Sequence, residues 1–252
     1  MSAPLRCCLY LPCYNVAPWV AKTAHRIPWG LLPSGLEYRL LFVDNASDDG
    51  TWAEIQKLQS ALGGAAVRHP INRGYGGSVK TAFDYCLREG LDILVVLHAD
   101  GQYAPEELPR LLQELLDRPT VALHFGSRLT GAPLKGGMPL YKYFANHLLS
   151  GLQNRVLGTR LSEFHSGYRL YRVALVDRVP WQRASDGFVF DNEIIFMIRQ
   201  AGLEITESTI STFYGNEESN VPRLGTPMLI LANLLRYLMA RKGWRRDPLY
   251  SR

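Results

Sequence analysis

The 252-residue sequence predicts an α/β fold on a mostly parallel, doubly wound sheet, and three observations carry that prediction. Short apolar runs alternate with helical stretches through the first half of the chain. Ile93 to Leu97 is a near-continuous apolar run, the pattern of a strand covered on both faces. Polar clusters stand directly after three of the runs, where a doubly wound sheet gathers its ligand-binding loops.

Taken in order, Leu5 to Leu11 reads as the first strand, with a helix after Pro18. Tyr38 to Val43 is the second strand and ends at Asp44. A helix starts near Thr51, where Thr51-Trp-Ala-Glu54 reads as a capping box. Ala65 to Arg68 is a short strand, Gly77 to Arg88 is helical, and Ile93 to Leu97 follows. Pro105-Glu106-Glu107 opens the next helix with proline and acids in its first turn. Val121 to Phe125 is the fifth strand. The second half has a Gly/Pro-rich loop over Thr130 to Pro139, then a long helix over Leu140 to Leu157. Phe190 to Gln200 is a helix ended by Gly202, and Leu203 to Ile210 is a strand. A loop through Asn216–Asn220 leads to a last helix, about Met228 to Ala240. Without repeats or linkers, the chain divides into one domain, 1–225, and a C-terminal amphipathic helix with a basic tail, 226–252.

Charge narrows the choice of partner. Lys and Arg number 28 against 23 Asp and Glu, a net +5. Residues 236–252 hold six basic side chains and one acid, so the rest carries 22 of each. The body is neutral, which argues against nucleic acid as a partner. Cys7, Cys8, Cys13 and Cys86 lack metal-ligand spacing and suit a reducing, cytoplasmic compartment. The first residues lack the pattern of a secretory signal, and no run of about 18 apolar residues reads as a membrane span.

Four polar clusters carry the candidate chemistry. Pro12-Cys-Tyr14-Asn15 follows the first strand, Asp44 through Thr51 the second, and His98-Ala-Asp100-Gly-Gln102 the fourth. Loops after neighbouring strands converge on one crevice, where acids can orient a ribose or base and a carboxylate can hold a divalent ion. Taken singly, Asp44 to Asp49 also reads as an Asx turn and Asp100-Gly101 as a plain turn. The fourth cluster, Asn72 to Thr81, nearly matches a phosphate-binding loop. Val79 stands where that loop needs glycine before its lysine, and the dinucleotide fingerprint lacks its third glycine. A phosphate-loop nucleotidase is therefore not expected.

Pro12-x-Tyr14-Asn15, Val43-Asp44 with Ser47-x-Asp49-Gly50-Thr51, and Asn72-x-Gly74 with Gly76-Gly77 resemble the inverting family 2 glycosyltransferases of the GT-A fold. His98-x-Asp100-x-Gln102 falls where that family keeps its D-x-D metal motif. Gly126-Ser127-Arg128, Ser166-Gly167-Tyr168-Arg169 and Phe190-Asp-Asn-Glu193 resemble its polyprenyl-phosphate branch, similar to dolichyl-phosphate mannosyltransferases. The resemblance implies a single GT-A domain with helices on both faces of the sheet. It implies a nucleotide-sugar donor held by Pro12, Tyr14, Asn15, Asp44, Gly74 and Lys80, and Mg²⁺ or Mn²⁺ held by His98, Asp100 and Gln102. It also implies an acceptor or phosphate site at Arg128, Ser166 and Arg169, with Asp191 and Glu193 as catalytic carboxylates. The chain departs from the family at three places: His98 for an aspartate, Val16 for a glutamate, and Glu163 for an aspartate.

A polyprenyl phosphate is already anionic and mainly needs orientation and cationic help, whereas a sugar hydroxyl needs a base. Arg128 and Arg169 suit the first. Two alternatives stay open: transfer to a soluble or protein hydroxyl, and an inactive nucleotide-sugar-binding membrane adaptor. Apolar stripes at Leu140, Phe144, Leu148, Leu152 and Val156, and at Met228, Leu231, Leu235 and Leu238, allow packing on the domain or docking on an anionic membrane surface. The second choice makes the protein peripheral on the cytosolic membrane face.

Overall fold

The computed structural model describes residues 4–131, 133–134, 137–211 and 225–251. The loop expected through Asn216–Asn220 and the terminal Arg252 lie outside the described residues. The strands are Leu5–Cys13 (β1), Leu36–Asp44 (β2), Ala65–Arg68 (β3), Ile93–Val96 (β4), Val121–Ser127 (β5), Arg169–Arg172 (β6) and Glu204–Thr209 (β7). They form one seven-stranded sheet in the order β3-β2-β1-β4-β6-β5-β7. β6 runs antiparallel to β4 and β5, and every other pair is parallel. After β3 the chain crosses to the far side of β1 to lay down β4, so the winding reverses between β1 and β4. In such a sheet a ligand crevice opens at that switch point, outside the carboxyl ends of the strands.

The helices are Ala17–His25 (α1), Thr51–Leu62 (α2), Gly74–Glu89 (α3), Leu108–Leu116 (α4), Leu140–Leu157 (α5), Val173–Val176 (α6), Phe190–Gln200 (α7) and Gly225–Arg241 (α8). Both faces of the sheet are covered, because alternate residues of each strand enter different cores. Leu9, Leu11, Phe42 and Val95 meet Val20 of α1, Ile55 of α2 and Leu111 and Leu112 of α4. Tyr10, Leu41, Val43 and Val96 meet Phe83 of α3, Ile194 and Phe196 of α7 and Tyr237 of α8. Each such side chain contributes about 1.5–3 kcal/mol on burial.

Three local expectations change. The capping box does not form: Thr51 is already the first helical residue after Gly50 (φ 91°), and no side chain of the cap residue bonds the helix. Asp49 does that work instead, with Oδ1 accepting from Thr51 N at 3.0 Å and Oδ2 from Ala17 N at 3.0 Å. One carboxylate thereby serves the amino ends of α1 and α2. α3 starts at Gly74, three residues before the expected start at Gly77. β6 is an additional strand, hidden in the sequence because Arg-Leu-Tyr-Arg places a buried arginine where a strand pattern wants an apolar residue.

The C-terminal segment is built into the second core. Tyr237 packs edge-on to Phe196 and Tyr250, with ring centroids 5.0 Å and 5.3 Å apart. Asn233 Nδ2 donates to Asn192 Oδ1 at 3.0 Å and its Oδ1 accepts from Tyr250 at 2.7 Å. Arg236 bridges Asp247 at 3.1 Å and Glu193 at 3.2 Å. The face of α8 that carries Asn233 is therefore the inner one, and Met228, Leu231 and Leu235 point outward.

Candidate active site

The carboxyl ends of β1, β2, β3, β4 and β5 and the amino end of β6 lie along one edge of the sheet, as the register Val96↔Arg169 and Phe125↔Arg169 requires. The polar clusters read from the sequence meet there. Beyond β1 the chain passes through Tyr14, exposed, and Asn15 in a left-handed conformation (φ 53°). Asn15 N donates to Ser47 Oγ at 3.0 Å and its Oδ1 accepts from Asp48 N at 3.1 Å. The first two loops are thus sewn together beside Pro12, which pairs with Val43 in the sheet.

Asp44 is fully buried at the end of β2. Its Oδ1 accepts from Ser47 N at 3.1 Å, and its Oδ2 lies 3.1 Å from Arg68 Nε, an ion pair by distance but out of line for a hydrogen bond. Arg68 also stacks over Trp52, with its guanidinium carbon 5.6 Å from the ring centroid. A groove of about 480 Å³ opens here, lined by Ala46, Ser47, Arg68, His69 and Pro70. Asn45 ties this corner to α3: its Nδ2 donates to Asn72 Oδ1 and Gly74 O, and its Oδ1 accepts from His69 Nδ1 at 2.8 Å and Arg73 N at 2.9 Å. Burial and the neighbouring Arg73 lower the His69 pKa, so its imidazole stays neutral in this network.

The glycine-rich start of α3 is a packing surface. Gly74 (φ 74°) lies so close to Asp186 O, and Gly76 to Ser185 O, that neither leaves room for a Cβ. Gly77 N donates to Asp186 O at 3.1 Å. Lys80 donates to Ala184 O and, at 2.7 Å, to Asp186 Oδ1. Val79, the residue that breaks the phosphate-loop pattern, is fully buried in the core.

After β4, Asp100 Oδ1 accepts from Gln102 N at 3.1 Å across the tight turn at Gly101 (φ 78°). His98 Nε2 packs against Gly167 without a hydrogen-bond partner, leaving no space there for a Cβ. Its ring stacks on Tyr75, with centroids 5.4 Å apart, and Tyr75 in turn stacks on Phe188 at 5.9 Å. His98 is thus wedged between Tyr75 and Gly167. Among the described residues no group of three or more His, Cys, Asp or Glu side chains forms a metal cage. The oxygen donors on this turn that could take a hard divalent ion are the Asp100 carboxylate and the Gln102 amide.

Tyr75 joins this turn to α7. While its ring lies on His98, its hydroxyl donates to Asp191 Oδ2 at 3.1 Å. Asp191 Oδ1 is buried without a hydrogen-bond partner, and Oδ2 lies 3.5 Å from Arg169 Nε. Burial raises the Asp191 pKa, and the nearby Arg169, His98 and the Tyr75 hydroxyl only partly oppose it. Arg169 is fully buried and donates to Ser166 O, Phe164 O and Asp191 O at 2.7–3.0 Å. Burial works against its charge, but Asp191 and two tyrosines hold its pKa above the usual arginine value. It anchors the Ser166–Arg169 turn to the start of α7. Arg128 Nε and backbone N donate to the fully buried Glu163 at 2.8 and 2.9 Å, and Nη2 reaches His165 O at 3.2 Å. Burial would raise the Glu163 pKa, but Arg128 holds it below the usual carboxylate value.

The edge thus brings together Asp44, Asp100, Gln102, Arg128, Ser166, Arg169 and Asp191. Glu193 is set apart: Oε2 accepts from Ser185 N at 2.6 Å and Oε1 pairs with Arg236, so it braces α8 and the Ala184–Gly187 strap. Tyr75, Asn45, Arg68 and His69 were not singled out from the sequence. Tyr75 and Asn45 lie inside two of the polar clusters without a role assigned to either, and nothing in the spacing marks Arg68 or His69.

Comparison with known proteins places the sequence in one family. Residues 8–179 match the sequence model of Glycosyl transferase family 2. The undecaprenyl-phosphate mannosyltransferase of Micrococcus luteus is 29% identical over 211 residues, spanning 82% of this chain and 83% of that protein. The UDP-N-acetylglucosamine–dolichyl-phosphate N-acetylglucosaminyltransferase of Methanococcus voltae is 23% identical over 248 residues, 93% and 96% of the two chains. Among solved structures, mannosyl-3-phosphoglycerate synthase from Rubrobacter xylanophilus aligns with a TM-score of 0.70 at 17% identity, covering 97% of this chain and 78% of that one. Glucosyl-3-phosphoglycerate synthase from Mycobacterium tuberculosis, in complex with Mn²⁺, UDP and glucosyl-3-phosphoglycerate, aligns with a TM-score of 0.67 at 19% identity, over 97% and 82% of the two chains. The shared fold is the GT-A fold.

Proposed function

The chain belongs to glycosyl transferase family 2, and we propose that it transfers a sugar, with inversion, from a nucleotide-sugar donor to a polyprenyl phosphate. One observation carries the reading: Asp191, buried with one carboxylate oxygen unpartnered, is linked through Tyr75 to the His98–Gln102 turn at the switch point. Donor and acceptor functions thereby share one crevice. The names of the relatives support a lipid-linked acceptor, because both act on polyprenyl phosphates.

In this reading the nucleoside lies in the groove beside Ser47 and Arg68, with Asp44 beneath it and Pro12, Tyr14 and Asn15 at its edge. Asp100 and Gln102 would hold Mg²⁺ or Mn²⁺, which would supply positive charge against the departing nucleoside diphosphate. Arg128 is the cation on the acceptor side, beside the Ser166–Arg169 turn. Asp191 orients the acceptor, and the inner positions of Arg169 and Lys80 make them supports for Asp191 and for the strap. A lipid acceptor brings the protein to an anionic membrane surface. No described helix is long and apolar enough to cross a membrane.

The metal role is tested with Asp100→Asn and by chelation. Losing the ion forfeits several kcal/mol of charge stabilisation, so nucleoside diphosphate release drops on the order of a hundredfold or more. Release at the wild-type rate in Asp100→Asn would remove Asp100 from that role.

A further inference from the structure

Tyr75 is the middle ring of a column of three. One of its faces lies on His98, with centroids 5.4 Å and planes 29° apart, and the other on Phe188, at 5.9 Å and 11°. Both faces of Tyr75 are therefore covered, and Gly167 closes in on His98 from behind. Phe188 is the outer ring. It is 37% exposed, although Val189 and Phe190 directly after it are buried. Before it, Gly187 faces open space: no atom beyond its chain neighbours comes within 4 Å of where a Cβ would stand. A phenyl ring is thus held in place by a stacked tyrosine on one side and left open on the other, beside a glycine.

The column joins two parts of the site. Its inner end, His98, begins the turn that carries Asp100 and Gln102, and the hydroxyl of its middle ring donates to Asp191 Oδ2 at 3.1 Å. In a nucleotide sugar the carbon under attack is bonded to the diphosphate and must meet the acceptor in line with it. That carbon belongs between the turn and Asp191, and the rest of the sugar ring has to lie over the surface beside them. Phe188 stands there, three residues before Asp191. Tyr103 and Tyr168, the aromatic rings that continue beyond His98, are both buried and have no face to offer.

We propose that Phe188 is a binding residue for the transferred sugar, its outer face receiving the C–H face of a donor hexopyranose. The inference rests on the sugar-transfer reading and deepens it, since it assigns the sugar end of the donor to a named side chain. A pyranose ring carries several C–H groups on one face, and laying that face on the phenyl ring takes apolar surface of both out of water. The hydroxyls at its rim stay free to find polar partners, as they must when the ring is covered. Phe188 therefore acts on the sugar and not on the nucleoside or the diphosphate.

The test is calorimetric titration of the full chain, with divalent cation, by UDP-glucose and UDP and by GDP-mannose and GDP. In Phe188→Ala the nucleotide sugar should bind about tenfold more weakly, the effect of one aromatic contact with its buried area, while the matching nucleoside diphosphate keeps its wild-type Kd. Phe188→Tyr retains the ring face and should keep both affinities. An unchanged nucleotide-sugar Kd in Phe188→Ala overturns the proposal alone and leaves sugar transfer standing. An equal loss for nucleotide sugar and nucleoside diphosphate also overturns it, because Phe188 would then only support Tyr75 and the turn behind it. A wild-type chain that binds none of the four ligands would defeat the sugar-transfer reading and the proposal together.

Discussion

Asp191 sits between opposing influences. Burial raises its pKa, while Arg169, His98 and the Tyr75 hydroxyl favour the ionised form without cancelling the rise. In the proposed reaction the ionised carboxylate is the form that accepts a hydrogen bond or a proton from the acceptor. As pH falls, that form is lost sooner than for an ordinary aspartate, so kcat/KM should decline at acid pH above the usual carboxylate range. Tyr75→Phe removes the hydroxyl that donates to Oδ2, one of the lowering influences. The acid limb of its pH profile should move further toward neutrality, and an unmoved limb in Tyr75→Phe would separate Tyr75 from Asp191 function. Asp191 itself was legible in the sequence because it belongs to an ordered set of motifs. Tyr75 was not, because its partner lies 116 residues away and becomes a neighbour only in the fold. Glu193 shows the converse: two acids in the first turn of α7 look equivalent in the sequence, yet the helix turns one toward the crevice and the other toward Ser185 and Arg236.

At the scale of elements, the start of α3 shows what its glycines are for: they do not complete a phosphate-binding loop, and the strap from Ala184 to Gly187 lies directly on them. Gly76→Ala would drive a methyl into Ser185 O and the Phe190 side chain, which should cost about 1–3 kcal/mol by overpacking. Gly151 on α5 faces open space, with nothing within 4 Å of where a methyl would stand, so Gly151→Ala should be neutral or stabilise by up to about 1 kcal/mol. Denaturant midpoints of the two variants check the contrast; equal effects would mean the strap is not seated on α3. Most strands and both long helices were legible because apolar periodicity survives translation into structure. β6 escaped that logic, since its pattern is broken by an arginine whose charge is matched inside the protein. The stripes on α5 and α8 were legible as stripes, but a periodic pattern does not state which side faces the core. Here the polar letters Gln153 and Asn233 mark the inside.

For the whole molecule, the neutral body and basic end seen in the composition map onto two different surfaces. The crevice at the β1–β4 switch point is built from paired and buried charges, while the Lys242–Arg246 segment is exposed at the end of an apolar face. The doubly wound order followed from strand–helix alternation alone, and it fixed where the crevice lies. What alternation could not supply was the cross-linking of that crevice by Asn45, Asp49, Tyr75 and Arg169, each acting over long sequence separations. The most direct measurement is nucleoside diphosphate release by the full chain from a panel of nucleotide sugars with divalent cation, with and without polyprenyl phosphate. Release that requires the lipid phosphate and yields a sugar-bearing lipid is the predicted result. Release with a soluble acceptor alone, or donor binding without release in any combination, would contradict the account.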